Sequence, residues 1–213
     1  MKLVFPRLYA IMDSVLLRTS EIAFADILAA SGVELIQYRN KQAPSGSLLQ
    51  ISLNLVKVLN PRHVRVIVND RPDIARLADA GGVHVGQEDL QVEDARAICG
   101  TERWVGVSTH TLDQVREASK TSADYIAVGP IFATDTKKNP DPIVGVDFIR
   151  RARQLTNKPL VAIGGINLER AAEAFRAGAD SVAVAGDLLT VPDPGARARQ
   201  FLSLAAGTLG RAN

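Results

Sequence analysis

The stretch Val161-Ala-Ile-Gly-Gly-Ile-Asn-Leu168 decides how the rest of the chain is read. Its apolar run has strand character and stops at Gly164-Gly165. Asn167 then stands where a helix N-cap is wanted, and residues 168–177 have helical character. A strand that ends in two glycines and turns straight into a helix presents backbone N–H groups at the helix's positive end, which suits a phosphate. One βα unit later the pattern returns. Residues 181–184 read as a strand, Ala185-Gly186 as the turn and Asp187 as a helix cap. Two consecutive anion-ready turns closing a βα series match the phosphate site after strands seven and eight of a (β/α)8 barrel. That match demands six more units upstream.

The preceding chain supplies them. Short apolar runs at 8–13, 34–41, 64–70, 83–87, 104–108 and 125–129 read as strands. Helical stretches at 21–31, 47–59, 72–80, 92–98 and 112–121 separate them. Gly32 ends the first helix, Pro61 follows the second, Pro72 opens the third, and Thr109 or Thr111 caps the fifth. Residues 130–144, dense in Pro, Thr, Lys and Asn, form a long loop, a kind that is usually functional in a compact domain. Helices at 146–155 and 194–209 complete the set, with 210–213 expected to fray. Strands alternating with helices imply parallel pairing and right-handed crossovers. Eight units closing on themselves make an α/β fold, a single (β/α)8 TIM-barrel domain over 1–213. An open doubly wound sheet is disfavoured, because no glycine-rich fingerprint follows the first strand and the phosphate-type turns come last.

Composition bounds the function. The 213 residues are 46% hydrophobic with a formal net charge of +2, enough for a filled core and without a global field for nucleic acid. No apolar run approaches the roughly 20 residues of a membrane span. The single cysteine, Cys99, excludes an intrachain disulfide and fits the reducing cytoplasm as a buried apolar side chain. Small-molecule partners are expected, with no nucleic acid and no membrane; a homo-oligomer is left open.

In a barrel of this kind the C-terminal strand ends face the active site. Those positions hold Gln37, Arg39 and Lys41 on strand two, Asn69 and Asp70 on strand three, and His84 with Asp89 beyond it on strand four. Ser108 ends strand five, and Thr134, Thr136 and Lys137 lie in the loop after strand six. Gly164-Gly165 and Ala185-Gly186 complete the set. Period two puts Gln37, Arg39 and Lys41 on one face, where two cations are costly unless they meet an anion. Asp70 and Asp89 on neighbouring units, with Asn69 beside them, make a hard oxygen site of the kind that takes Mg2+. Each carboxylate could instead serve the fold, Asp70 by capping the helix at Pro72 and Asp89 by capping its loop. His84 could be an ordinary barrel-lining histidine. Thr134, Thr136 and Lys137 offer two hydroxyls and an ammonium to a phosphate, or form a plain surface loop, and Lys138 is expected to face water.

The ordered set Gln-x-Arg-x-Lys, Val-Asn-Asp, Gly-Val-His-Val-Gly-Gln-Glu-Asp, Gly-Val-Ser-x-His, Gly-Pro-Ile-Phe-x-Thr-x-Thr-Lys and Ala-Ile-Gly-Gly-Ile resembles the thiamine-phosphate synthase family, from about residue 8 to about residue 189. The resemblance implies a (β/α)8 barrel that uses Mg2+ to join hydroxymethylpyrimidine diphosphate to hydroxyethylthiazole phosphate, a transferase releasing diphosphate. It further implies that Gln37 contacts the pyrimidine, with His84 nearby. Arg39, Lys41, Asn69 and Lys137 hold the diphosphate beside Ser108, and Asp70 and Asp89 ligate Mg2+. Thr134, Thr136 and the backbone at Gly165, Ala185 and Gly186 take the thiazole phosphate. Arg39, Lys41, Ser108 and Lys137 would be the catalytic set. The chain departs from the family where Ala185-Gly186 replaces the usual Ile-Ser, losing a hydroxyl donor. Two rivals share these late turns: a thiazole tautomerase, which lacks much of the diphosphate and metal set, and a non-catalytic phosphate-ligand binding protein.

Overall fold

A computed structural model describes residues 5–134 and 142–209. Eight parallel strands pair in sequence order and close, β8 against β1, into a barrel. The strands are β1 Leu8–Asp13, β2 Leu35–Arg39, β3 Arg65–Asn69, β4 Gly82–Val85, β5 Trp104–Thr109, β6 Tyr125–Val128, β7 Leu160–Ile163 and β8 Ser181–Val184. Around them run α1 Glu21–Ala30, α2 Ser45–Leu59, α3 Pro72–Leu77, α4 Val92–Cys99, α5 Leu112–Lys120, α6 Val146–Arg153, α7 Leu168–Arg176, α8 Gly186–Leu189 and α9 Pro194–Leu209. The expected alternation therefore holds at every unit. Residues 210–213, expected to fray, lie outside the described residues, as do 135–141.

Local chemistry explains the boundaries. Thr111, not Thr109, caps α5, and its hydroxyl and the Gln114 side chain complete a reciprocal capping box. The Asn167 side chain accepts from the Arg170 N–H and starts α7. Pro72 sits in the first turn of α3, where its missing N–H costs nothing. Asp187 is not the N-cap of the helix that follows it: α8 already begins at Gly186, which puts Asp187 inside the first turn, and its carboxyl accepts from the Leu168 N–H at the start of α7.

Burial divides into two layers. Outward-facing strand residues such as Ile36, Val66, Val83, Ile126 and Val182 pack against the helices. A separate inner cluster fills the barrel with Phe5, Tyr9, Ile11, Leu35, Ile67, Tyr125, Ala127, Val161 and Ala183. Two strand glycines allow close approaches inside the barrel, one by a ring and one by backbone. A Cβ on Gly106 would overlap the Tyr125 ring, and one on Gly82 would overlap the Trp104 carbonyl. Phe5, just before β1, stacks on Trp104 at 5.2 Å and lies 4.8 Å from Tyr125. These rings fill the N-terminal end of the barrel, so polar groups gather at the C-terminal end.

Candidate active site

Arg39 ends β2, and its guanidinium pairs with Asp13, the register partner at the end of β1. Asp13 is 2% exposed and also accepts from the Val15 N–H at 3.0 Å. Lys41, just past β2, places its ammonium 3.0 Å from the Asp70 carboxylate. The two cations of the Gln-x-Arg-x-Lys strand end thus meet carboxylates of the protein, where the sequence leaves their counter-charge to a bound anion.

Asp70 follows β3 with φ +61°, a left-handed conformation that Asp tolerates better than most side chains. The chain turns there, and Arg71 rather than Asp70 occupies the N-cap of α3, with no side-chain cap. Asp70 is therefore not spent on capping. It stands close enough to Asp89 for the two carboxyls to interact directly. Burial and then Asp70 push the Asp89 carboxyl up, while the Gly86 N–H, which donates to Asp89 Oδ2 at 2.8 Å, and Lys41 oppose the shift. Asp89 therefore does cap its loop, and still faces Asp70. Asn69 stands in register with His84 between these units.

Inside the mouth, a hydrogen-bonded chain crosses the barrel. Gln37 Nε2 donates to Tyr9 Oη at 2.7 Å. Tyr9 Oη and Tyr125 Oη are 2.9 Å apart. Tyr125 Oη and His84 Nδ1 are 3.1 Å apart, and His84 Nε2 and Ser108 Oγ 2.9 Å. Gln87 Nε2 also donates to the Ser108 carbonyl at 2.6 Å. Burial pulls the His84 imidazole down to about 4, so it is neutral near pH 7. His84 is thus a barrel-lining histidine and a member of the site at once.

On the opposite side of the mouth the chain after β6 is stitched to the end of β7. The Ile131 N–H donates to the Ile163 carbonyl at 2.8 Å, and the Phe132 N–H to the Gly164 carbonyl at 3.1 Å. This brings Thr134 toward the glycine turn. Gly164 and Gly165 have φ +98° and +61°. A Cβ on Gly164 would press on Pro130, and one on Gly165 would overlap the Ala133 carbonyl. The glycine pair is thus required by the packing of this segment in addition to any ligand. Arg170 of α7 donates to the Gly165 carbonyl at 2.7 Å. Ala185 precedes α8 and Gly186 is its first residue, so the second turn also meets a helix start. Thr136 and Lys137, expected at the two phosphates, lie outside the described residues.

The structure brings Gln37, His84 and Ser108 into one network and Lys41, Asp70 and Asp89 into another. Sequence reading missed Asp13, Tyr9 and Tyr125. Asp13 had a signal, since it is the polar end of strand one. The tyrosines had none, because each sits among apolar strand residues and meets its partner only across the barrel.

Residues 8–188 match the model of a family described as thiamine monophosphate synthase. The chain is 49% identical to the thiamine-phosphate synthase of Koribacter versatilis over 207 residues, 95% of this chain and 97% of that protein. It is 41% identical to the thiamine-phosphate synthase of Chloroflexus aurantiacus, over 95% of this chain and 94% of that one. Among solved structures, a thiamine phosphate pyrophosphorylase from Pyrococcus furiosus superposes with a TM-score of 0.87 at 30% identity, covering 96% of this chain and 97% of that one. With the closed barrel and the strand-end residues in place, the chain belongs to the thiamine monophosphate synthase family.

Proposed function

We propose that this barrel condenses 4-amino-2-methyl-5-hydroxymethylpyrimidine diphosphate with 4-methyl-5-(2-hydroxyethyl)thiazole phosphate, giving thiamine phosphate and diphosphate. Family membership makes the chain a thiamine-phosphate synthase by function and a transferase by class. The observation that carries the site-level reading is the Lys41–Asp70–Asp89 group beside Arg39, across the barrel mouth from the glycine turns. One anion would bind at each side.

The metal is inferred from the same group. Two carboxyls this close, one of them pushed up by burial and by the other, are relieved by a divalent cation. The donors are hard oxygens, which fit Mg2+ with the remaining positions left to water and diphosphate. Asp70 and Asp89 would hold it. Bound there, Mg2+ offsets the negative charge that grows on the leaving diphosphate.

The protein's own residues do the rest. Arg39, Lys41 and Asn69, with Lys137, grip the diphosphate and stabilise it as the C–O bond to the pyrimidine methylene breaks. The electron-rich aminopyrimidine carries the resulting positive charge, and Gln37 and His84 hold its ring. Thr134, Thr136 and the backbone of Gly165, Ala185 and Gly186 hold the thiazole phosphate, so that the thiazole nitrogen stands in line with the methylene carbon. No side chain needs to act as nucleophile or general base. Cys99, buried at the end of α4, takes no part.

The partners proposed are these small molecules, with a homo-oligomer left open, and the compartment proposed is the reducing cytoplasm, on the single cysteine. No helix among the described residues is long and apolar enough to cross a membrane. An assay for diphosphate release, with each substrate and Mg2+ omitted in turn, tests the reading. Release should need all three. Turnover of a thiazole substrate without pyrimidine diphosphate would instead support a tautomerase.

A further inference from the structure

We infer that Tyr9 and Tyr125 are positioning residues whose buried hydrogen-bonded chain fixes the His84 tautomer and thereby makes the Ser108 hydroxyl a committed donor toward the diphosphate, while holding the Gln37 carbonyl toward the pyrimidine. The inference rests on the proposed function for its substrates and on a count of hydrogens for its direction.

The Gln37 amide nitrogen can only donate. It donates to Tyr9 Oη at 2.7 Å, which leaves Oε1 as the amide's free end. Tyr9 is 1% exposed. Having accepted from Gln37, its own O–H needs an acceptor, and the acceptor within reach is Tyr125 Oη at 2.9 Å. Tyr125 is fully buried. Its hydroxyl has accepted from Tyr9, so it donates to His84 Nδ1 at 3.1 Å. Nδ1 is then the acceptor nitrogen, and in a neutral imidazole the proton must sit on Nε2. Nε2–H donates to Ser108 Oγ at 2.9 Å. The Ser108 O–H, with its oxygen already engaged, turns outward to the barrel mouth.

Every bond points the same way, from Gln37 to Ser108. Burial supports the count, because it raises both tyrosine hydroxyls and lowers the imidazole, so that all three stay uncharged. Reversing one member would leave a buried O–H without an acceptor, which is costly in a dry interior. The chain also explains why tyrosine rather than phenylalanine fills this part of an otherwise apolar barrel core.

The test begins with the unaltered protein. In 15N-histidine-labelled enzyme without substrates at pH 7, two-bond 15N–1H correlations report each imidazole tautomer, and loss of one set in His84→Asn assigns His84. The expected result is Nε2–H. Tyr125→Phe removes the donor to Nδ1, so His84 should shift toward Nδ1–H, and kcat should fall by roughly ten- to a hundredfold with the KM for thiazole phosphate unchanged. Combined with Ser108→Ala, Tyr125→Phe should cost nothing further in kcat, because both act on it through one hydroxyl, while the Tyr9 O–H left without its acceptor shows separately as a raised KM for pyrimidine diphosphate. Tyr9→Phe should keep the tautomer but free the Gln37 amide to reverse, raising the KM for pyrimidine diphosphate. An Nδ1–H tautomer in the unaltered protein overturns the inference, whatever the variants do, and so does additivity in kcat of Tyr125→Phe with Ser108→Ala. If the tautomer is Nε2–H but no diphosphate is released from the two substrates, the proposed function fails and the chain's polarity stands.

Discussion

Asp13 and Arg39 face each other across the β1–β2 ladder, and the carboxylate of the pair is almost completely buried. The bridge pins the guanidinium at the barrel mouth. Asp13→Ala would leave that cation without its counter-charge. Breaking a dry pair costs about 3–5 kcal/mol, but the Arg39 side chain is 24% exposed, so we expect about 2 kcal/mol. The melting temperature should fall, and the KM for pyrimidine diphosphate should rise as Arg39 loses its aim. An Asp13→Ala enzyme that melts and binds like the parent would show that Arg39 is positioned by something else.

Asp70 and Asp89 should behave as a unit. Asp70→Ala and Asp89→Ala should each abolish diphosphate release at ordinary Mg2+, and the milder changes to Asn should recover part of it as Mg2+ is raised. Titrating Mg2+ at fixed substrate decides this. Full activity of both Ala variants at low Mg2+ would remove the metal from these residues.

Lys137→Ala should lower kcat far more than it raises the KM for thiazole phosphate. The ammonium is assigned to charge that grows as diphosphate leaves, and one such donor is worth on the order of 3 kcal/mol. Steady-state kinetics with each substrate varied separately distinguish the roles. A change confined to the thiazole-phosphate KM would assign Lys137 to the other anion.

The barrel is legible in the sequence because its punctuation is local. Gly32, Pro61, Pro72, Gly81-Gly82 and Gly100 mark unit boundaries that survive in the structure to within a residue or two. The four-residue α8 is not legible, since so short a helix carries no period. The strand-end rule finds most of the polar site, because position along a parallel strand says which end a residue faces. It does not find partners. Tyr9 and Tyr125 are 116 residues apart, and only closure of the barrel shows that their hydroxyls meet. The same holds for Arg39, whose basic character is plain but whose counter-ion is Asp13 rather than a ligand alone. The glycine pair carries a second demand that the sequence hides. Gly164-Gly165 reads as a ligand feature, and the neighbouring segment demands the pair as well.

That demand decides which glycine variant tests the thiazole-phosphate site. Any side chain at Gly165 meets both a positive φ and the Ala133 carbonyl. Gly165→Val should therefore lower the melting temperature as well as weaken thiazole-phosphate binding, and its kinetics alone would not locate the anion. Gly186 is different. It opens α8 and is not among the described glycines with positive φ, so a side chain there brings no backbone strain of that kind. Serine at this position restores the hydroxyl that the family usually carries, at the start of a helix where an anion is favoured. A hydrogen bond to a charged group is worth roughly 1.5–3 kcal/mol at best. Gly186→Ser should thus lower the KM for thiazole phosphate, by about tenfold and at most about a hundredfold, with the KM for pyrimidine diphosphate and the melting temperature unchanged. If Gly186→Ser leaves thiazole-phosphate affinity where it was, while Gly165→Val melts lower but still binds, then the anion does not sit at these turns. The two late βα units would in that case serve the fold alone.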